Sequence, residues 1–149
     1  MAKIKFLEKN CTACAACALA CMDQNNIDVT VTRPYRTVKT QERLENGAVV
    51  FRFLSLSCRH CEAAACMAAC PAGCFYRDEA LDLVRWNNER CIGCRACARS
   101  CPYDAISFGP DGRMEKCDGC AARQEAGLVP ACVRVCPFGA LVLEDRRAP

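Results

Sequence analysis

The sequence predicts an α+β fold of short strands and short helices that is organised by cysteine side chains. Three observations predict it. Seventeen of the 149 residues are cysteine, far above ordinary usage. Sixteen of these fall into four groups of four, and short apolar or alanine-rich segments lie within and between the groups. A chain of this length has only a limited apolar interior, so we expect the cysteines to contribute to folding.

The cysteine groups are the candidate metal ligands. Group one is Cys11, Cys14, Cys17 and Cys21, and group two is Cys58, Cys61, Cys66 and Cys70. Group three is Cys91, Cys94, Cys97 and Cys101, and group four is Cys117, Cys120, Cys132 and Cys136. Group three, with Pro102, matches the C-x2-C-x2-C-x3-C-P run of bacterial ferredoxins. Sixteen thiolates are the ligand number for four [4Fe–4S] clusters, so we predict four such cofactors and single-electron transfer.

Disulfides and zinc are alternative uses for so many cysteines. Disulfide frameworks suit small secreted domains, but residues 1–10 contain no long apolar run of a secretory signal. Structural zinc sites with four cysteines use two separated C-x2-C pairs. Groups one and three instead space three cysteines at i, i+3 and i+6, which lets one loop reach three iron corners of a cubane. The spacing therefore favours iron–sulfur clusters over a zinc-binding module.

The segments between the groups predict the regular structure. Apolar runs predict strands at residues 4–7, 49–56, 74–77, 81–86, 106–108 and 140–144. A turn near residues 78–80 would join two of them, and Pro110, Asp111 and Gly112 predict a hairpin tip. Alanine favours helix, so the alanine-rich residues 15–22 and 62–69, and residues 131–135, predict short helices. Residues 22–48 form a polar, ligand-free insertion, which we interpret as a docking surface.

Loop lengths predict how the groups pair. In two-cluster ferredoxins three cysteines of a motif hold one cluster and the fourth crosses to the other. Twenty residues (71–90) separate groups two and three, enough for a strand, a turn and a return strand, whereas 36 residues (22–57) separate groups one and two. We therefore favour two interleaved bacterial-ferredoxin-like units. Residues 58–101 form the inner unit, and residues 1–57 plus 102–149 form the outer one. Sequential pairing, first with second and third with fourth, is the alternative.

In the nested pairing, group two pairs with group three and group one pairs with group four. This pairing assigns four ligands to each cluster. Cluster one takes Cys11, Cys14, Cys17 and Cys136, and cluster two takes Cys58, Cys61, Cys66 and Cys101. Cluster three takes Cys91, Cys94, Cys97 and Cys70, and cluster four takes Cys117, Cys120, Cys132 and Cys21. Cys74 stands outside all groups, at a position where Ala105 and Ala140 follow other Cys-Pro pairs. We interpret it as a small buried residue, with a replacement ligand or redox thiol as the alternative.

A few other side chains lie close to the ligands in sequence. His60, the one histidine, either packs between Cys58 and Cys61 or tunes a cluster through a hydrogen bond. Trp86 is interpreted as a core residue. Five arginines either raise cluster potentials or form a solvated face; they are Arg59, Arg95, Arg99, Arg123 and Arg134.

Charge and composition exclude several function classes. The formal net charge of +3 treats the cysteines as neutral, and with four clusters bound the net charge becomes about −5. No Lys/Arg run is present, so we expect no nucleic-acid partner. The weakly polar residues 63–75 are too few to span a bilayer. There is no G-x-G-x-x-G fingerprint, and every predicted iron has its cysteine ligand. The protein is therefore expected to be non-catalytic.

The last motif resembles that of iron–sulfur subunits in the dimethyl sulfoxide reductase family. Residues 116–141 read KCDGCAARQEAGLVPACVRVCPFGAL. The matching positions are Cys117, Cys120, Arg123, Gly127, Pro130, Ala131, Cys132, Cys136, Pro137 and Ala140. Group two, followed by Pro71, resembles the second motif of the same family. The sequence departs from the family where Ala64 and Ala65 replace a frequent Pro-Pro, and where Met22 replaces a proline.

This resemblance implies an electron-transfer subunit with four [4Fe–4S] clusters and nested ligand exchange, of the dimethyl sulfoxide reductase or formate dehydrogenase type. It implies a catalytic oxidoreductase partner that carries a molybdenum or tungsten pterin, and a further redox subunit or carrier. A free, diffusible polyferredoxin is the alternative. Many relatives end in a membrane anchor, whereas this sequence stops at Pro149. Together with the missing secretory signal, this predicts a small, anchor-free, cytoplasmic version.

Overall fold

The computed structural model of the protein describes residues 2–145 and consists of short elements joined by cysteine-bearing loops. The strands are β1 (Ala2–Phe6), β2 (Thr37–Glu45), β3 (Ala48–Leu56), β4 (Phe75–Asp78), β5 (Leu83–Trp86), β6 (Ile106–Phe108), β7 (Met114–Lys116) and β8 (Leu141–Asp145). The helices are α1 (Ala16–Gln24), α2 (Ala65–Ala68), α3 (Ala96–Ser100), α4 (Ala121–Glu125) and α5 (Ala131–Arg134). Within these residues no helix has the length and apolar character needed to cross a membrane.

The strands pair into two-stranded antiparallel sheets, β1 with β8, β2 with β3, β4 with β5, and β6 with β7. Ile4 lies opposite Leu143 in the first sheet, which brings the two ends of the described residues together. Helix α1, which follows the first cysteines of group one, contacts α5 of group four, and α2 of group two contacts α3 of group three. The elements that carry groups one and four are therefore neighbours, as are those that carry groups two and three.

Two small apolar clusters form the core. The larger contains Ala64, Cys74, Phe75, Val84, Cys97, Ile106 and Met114, with Trp86 packed against it. The smaller contains Cys17, Cys132 and Leu141. Large apolar side chains are few, and cysteines take part in both clusters, so the core is built around the cysteine-bearing loops.

All six predicted strands are present, with their ends displaced by at most two residues. Strand β6 has the predicted bounds, and β3 begins one residue before its prediction. The predicted tip between β6 and β7 is closed by the Gly112 amide, which donates to the Gly109 carbonyl at 2.9 Å. The helix predicted at residues 62–69 is shorter, since α2 covers only Ala65–Ala68. Helices α3 and α4 were not predicted.

Residues 22–48, interpreted as a polar, ligand-free insertion, contain regular structure that the sequence did not predict. Helix α1 extends to Gln24, and β2 pairs with β3 along its whole length. Asn46 and Gly47 join the two strands with φ angles of +51° and +79°, the left-handed pair that a two-residue hairpin turn requires. Most of β2 is exposed on both faces, so its sequence lacks the apolar alternation by which strands are recognised.

Candidate metal centres

The backbone reverses at the same position in the first C-x2-C pair of every group. The residue before the second cysteine has a left-handed φ; these residues are Ala13 (+57°), His60 (+47°), Gly93 (+68°) and Gly119 (+73°). In groups two and four the turn aims the backbone N–H at the first sulfur, 3.4 Å from Cys58 Sγ and 3.3 Å from Cys117 Sγ. Such N–H groups favour a negatively charged sulfur.

Three cavities are each lined by four of the predicted ligand cysteines. The first is lined by Cys11, Cys14, Cys17 and Cys136. The second is lined by Cys58, Cys61, Cys66 and Cys101. The third is lined by Cys70, Cys91, Cys94 and Cys97, with Cys74 beside them. Each cavity combines three cysteines of one group with the fourth cysteine of another.

The remaining four cysteines are also neighbours. Burial, followed by the charges of Cys132 and Cys120, raises the pKa of Cys21 to about 11. Burial is also the main cause that raises the pKa of Cys117, to which Cys58 and Cys21 add. The structure therefore brings Cys21 together with Cys117, Cys120 and Cys132, and places Cys117 close to a cysteine of the second cavity.

These thiols need a cation to become thiolates at neutral pH. Burial raises the pKa of Cys97 to about 11, and it also raises the pKa values of Cys66 and Cys120. A coordinated metal deprotonates a thiol outright, and four soft sulfur donors select zinc or iron–sulfur centres. Within residues 2–145 no three or more His, Cys, Asp or Glu side chains come close enough to hold a single metal ion. The cysteines line cavities instead, and this arrangement fits iron–sulfur clusters.

Comparison with known proteins identifies the family. Residues 49–146 match the 4Fe-4S dicluster domain. The protein belongs to this family. It is 40% identical over 136 residues to the thiosulfate reductase electron transfer subunit PhsB of Salmonella typhi, a match that covers 90% of this sequence and 70% of that protein. It is 38% identical over 144 residues to the B subunit of the anaerobic dimethyl sulfoxide reductase of Haemophilus influenzae, and that match covers 91% and 70%.

A third relative of this 4Fe-4S dicluster protein is NrfC of Escherichia coli K12, 37% identical over 144 residues. That match covers 95% of this sequence and 64% of NrfC. The resemblance to iron–sulfur subunits of the dimethyl sulfoxide reductase family is thereby confirmed. The protein is a ferredoxin-like, iron–sulfur electron-transport protein of oxidoreductase complexes.

Backbone N–H groups also contact Cys70 and Cys136 in this 4Fe-4S dicluster protein. Each of these two cysteines lines a cavity together with three cysteines of another group. The Cys74 amide lies 3.4 Å from Cys70 Sγ, and the Ala140 amide lies 3.2 Å from Cys136 Sγ. The two amides occupy the same position, four residues after the sulfur they contact. The Cys74 side chain is 3% exposed, and burial, followed by the neighbouring Cys70, raises its pKa to about 12. Cys74 is thus buried, as the sequence interpretation expects.

His60 packs between β5 and the group-two loop. Its Nδ1 accepts a hydrogen bond of 3.1 Å from the Val84 amide, so the other nitrogen carries the proton of the neutral ring. Burial, and then the charge of Lys116, lowers the His60 pKa to about 3. Among the described residues Nε2 has no hydrogen-bond partner. His60 is therefore a neutral residue that fixes the start of β5.

Two buried cations were missed by the sequence analysis. Arg36 is 3% exposed and Lys116 is fully buried. Arg36 belongs to the segment interpreted as a polar, ligand-free insertion. Lys116 directly precedes Cys117, where a charged residue gives no signal of burial. Lys116 follows the alternation of β7, in which Met114 and Lys116 are both buried. That alternation is the one sequence signal that could have identified Lys116.

The arginines that the sequence analysis singled out lie at the surface or are half-buried. Arg59 stacks over the Tyr103 ring at 4.3 Å, and Arg95 over the Phe108 ring at 4.9 Å. Arg123 donates to the Val129 carbonyl at 2.8 Å. These contacts support the interpretation of a solvated face more than that of a set of residues that tune the clusters.

Proposed function

We propose that this protein is a non-catalytic electron-transfer subunit that carries four [4Fe–4S] clusters. It would relay single electrons between a catalytic oxidoreductase subunit and a further redox partner. The observation that carries the proposal is that the cysteines of two different groups line each of three cavities, four cysteines to a cavity. Four sulfur donors from two motifs are the ligand arrangement of a two-cluster ferredoxin.

The proposed ligand sets follow the nested pairing. Set one is Cys11, Cys14, Cys17 and Cys136, and set two is Cys58, Cys61, Cys66 and Cys101. Set three is Cys91, Cys94, Cys97 and Cys70, and set four is Cys117, Cys120, Cys132 and Cys21. The cavities and the packing of α1 on α5 and α2 on α3 support nested over sequential pairing. The inner unit would be residues 58–101 and the outer unit residues 1–57 plus 102–149, of which residues 1 and 146–149 lie outside the described part.

The positions of neighbouring ligand sets support one order in which electrons would pass between the four clusters. Sets one and four exchange cysteines, as do sets two and three, so each pair is close. Cys117 of set four lies near Cys58 of set two. The Lys116 Nζ lies between these two cysteines, 2.9 Å from the Cys117 carbonyl and 3.7 Å from Cys58 Sγ. We therefore propose that electrons pass in the order one, four, two, three, or in reverse.

The protein residues would hold charge and exclude water while the clusters supply one-electron redox chemistry. The N–H groups of His60 and Gly119 aim at ligand sulfurs and stabilise negative charge there. Cys17, Cys97 and Cys132 are buried, whereas Cys14 and Cys94 are exposed. Sets one and three therefore reach the surface, where electrons can enter and leave.

The hairpin of β2 and β3 is the proposed docking surface for the catalytic subunit. Val38 and Ser55 face each other at its base and line the first cavity. Since side chains alternate between the faces of a strand, the same face continues outward through Phe53, Phe51 and Leu44. Phe51 is 51% and Leu44 is 74% exposed. An apolar stripe that begins over set one and continues into solvent would guide a partner to that set.

The nature of the partner rests on the relatives. PhsB is the electron transfer subunit of a thiosulfate reductase, and the Haemophilus relative belongs to a dimethyl sulfoxide reductase. We propose that the catalytic partner of this protein is likewise an oxidoreductase subunit, with a molybdenum or tungsten pterin as the family resemblance implies.

Anaerobic purification from the native host, with iron, zinc, molybdenum and tungsten counted per chain, tests the proposal. We expect about sixteen irons per chain and a large co-purifying subunit that contains molybdenum or tungsten. Sixteen irons on a protein that purifies alone would replace the subunit with a diffusible polyferredoxin. Zinc in place of iron would refute both.

A further inference from the structure

One buried positive charge lies in the wall of the second cysteine cavity. Lys116 is the last residue of β7 and is fully buried. Since side chains alternate along a strand, Lys116 shares the buried face of β7 with Met114. The cavity that Lys116 lines is the one formed by Cys58, Cys61, Cys66 and Cys101. This cavity therefore contains a cationic side chain that is separated from water.

Three acceptors and an aromatic ring surround the Lys116 ammonium. Its Nζ donates to the Val84 carbonyl and, at 2.9 Å, to the Cys117 carbonyl. The centre of the Trp86 ring lies 4.9 Å from Nζ. An ammonium has three N–H donors, and the third acceptor is Cys58 Sγ at 3.7 Å. The two carbonyls therefore hold the ammonium in place, and its remaining N–H is available to a sulfur of set two.

These contacts direct the charge of Lys116 at set two rather than at set four. Lys116 contacts set four through the Cys117 carbonyl, a neutral backbone group. It contacts set two through the sulfur of Cys58, which is a thiolate when it binds metal. Burial, followed by the charge of Cys58, raises the pKa of Cys66, and the charge of Lys116 opposes that shift. None of the contacts of Nζ is a carboxylate, so the ammonium faces sulfurs of set two without a competing anion.

Solvent access decides how strongly a cation acts on a cluster. Reduction adds one negative charge, which a nearby cation attracts strongly where water is excluded and weakly where solvent and salt screen it. Arg59 lines the same cavity as Lys116, but it is exposed, and its guanidinium lies over the Tyr103 ring. Lys116 and Arg59 thus carry the same charge beside the same ligand set and differ in their access to solvent.

We infer that the Lys116 ammonium stabilises the reduced form of the cluster held by set two and so raises its reduction potential. The inference rests on the proposed function, since it requires a [4Fe–4S] cluster in that set. The electron comes from a neighbouring cluster, which is oxidised in the same step; no bond is broken, and the ammonium keeps its proton. In the proposed order set two lies between sets four and three, so Lys116 favours the electron at an inner position of the relay.

A redox titration of Lys116→Met followed by electron paramagnetic resonance tests the inference. Methionine keeps an unbranched stem but carries no charge. Cys61→Ser identifies the set-two signal as the one that this substitution removes or alters. At a fixed ambient potential we expect Lys116→Met to lower the reduced-to-oxidised ratio of that signal about tenfold, which is about 59 mV for one electron. Arg59→Met is the matched control, and it should change the ratio by about twofold or less, because solvent screens the Arg59 charge.

A second variant separates the charge of Lys116 from its hydrogen bonds. Lys116→Gln retains N–H donors for the two carbonyls but carries no charge. Both Lys116 variants should show the lowered ratio, with the iron content and the other signals of the wild-type protein. A lowered ratio in Lys116→Met alone would assign the effect to the lost hydrogen bonds and would overturn the inference.

The outcomes also separate the inference from the proposed function. A wild-type protein without a set-two cluster would refute the proposed function, and the inference with it. Four clusters, with Lys116→Met no different from Arg59→Met, would refute the inference alone. Loss of the set-two iron from both Lys116 variants would also overturn it, because Lys116 would then be required for binding of the cluster and not for its potential.

Discussion

Gly119→Ala should destabilise the folded protein more than the same substitution at Gly139, another glycine with a left-handed backbone. Gly119 lies between Cys117 and Cys120 with φ of +73°. A Cβ at this position would lie 2.7 Å from Leu83 Cδ2 and 2.9 Å from Leu83 Cδ1. Leu83 is 2% exposed, so its side chain has little room to move away. The substitution therefore combines an unfavourable backbone conformation with a steric clash.

The two costs can be estimated separately. A non-glycine residue in the left-handed region costs roughly 1–2 kcal/mol. Overpacking a buried site costs roughly 1–3 kcal/mol, which brings the expected total to about 2–5 kcal/mol. Gly139 is a matched control, because it has a similar φ of +60° and a Cβ added there would meet no atom within 4 Å. Gly139→Ala should incur only the backbone cost.

The assay is anaerobic unfolding in guanidinium chloride, followed by the visible absorbance of the clusters and by far-ultraviolet circular dichroism. Since loss of clusters makes unfolding irreversible, rates at one denaturant concentration are compared. Leu83→Val removes both clashing Cδ atoms, so in that background Gly119→Ala should cost no more than Gly139→Ala. Equal rates for the two alanine variants in the wild-type background, or no relief from Leu83→Val, would refute the reasoning.

Three further predictions follow from the same structure. Chelation of iron should abolish the native circular dichroism, because the binding free energy of the thiolates is folding free energy; a folded metal-free protein would contradict this. Cys74→Ala should retain the full iron content, since Ala140 serves at the corresponding position, whereas Cys70→Ser should lose about four irons per chain. Leu44→Ser combined with Phe51→Ser should weaken co-purification with the catalytic subunit at unchanged iron content, and undiminished co-purification would exclude the hairpin as a docking surface.

Cysteine spacing predicted that one loop reaches several corners of a cluster, and the backbone of the four C-x2-C pairs is compatible with this. A C-x2-C pair can place two sulfurs on one cluster only if the backbone reverses between them, and the four left-handed residues before the second cysteines satisfy that requirement. Length arguments worked for β4 and β5, because the short connection between groups two and three leaves room for little besides a hairpin. The same length argument predicts the nested ligand sets, which stay a prediction that the cavities lined by cysteines of two groups support.

The hairpin of β2 and β3 was missed for a physical reason. Strand prediction relies on one buried face, and β2 is exposed over most of its length. Its strand conformation comes from pairing with β3 and from the left-handed turn at Asn46 and Gly47. An Asn-Gly pair before an apolar run is itself a hairpin signal, so attention to the turn would have recovered the strand.

The buried cations show where sequence reasoning about charge fails. Arginines inside the motifs were obvious candidates for tuning a cluster, yet they are exposed or half-buried on loops and on the short helices α3, α4 and α5. Arg36 and Lys116 lie outside the motifs and are buried because β3 and β5 cover them, which are contacts between distant parts of the sequence. A buried cation is costly unless a negative charge repays its desolvation. In this protein the cysteine thiolates provide that charge. Cluster binding therefore makes the burial of Arg36 and Lys116 more favourable, and the two buried cations in turn favour cluster binding.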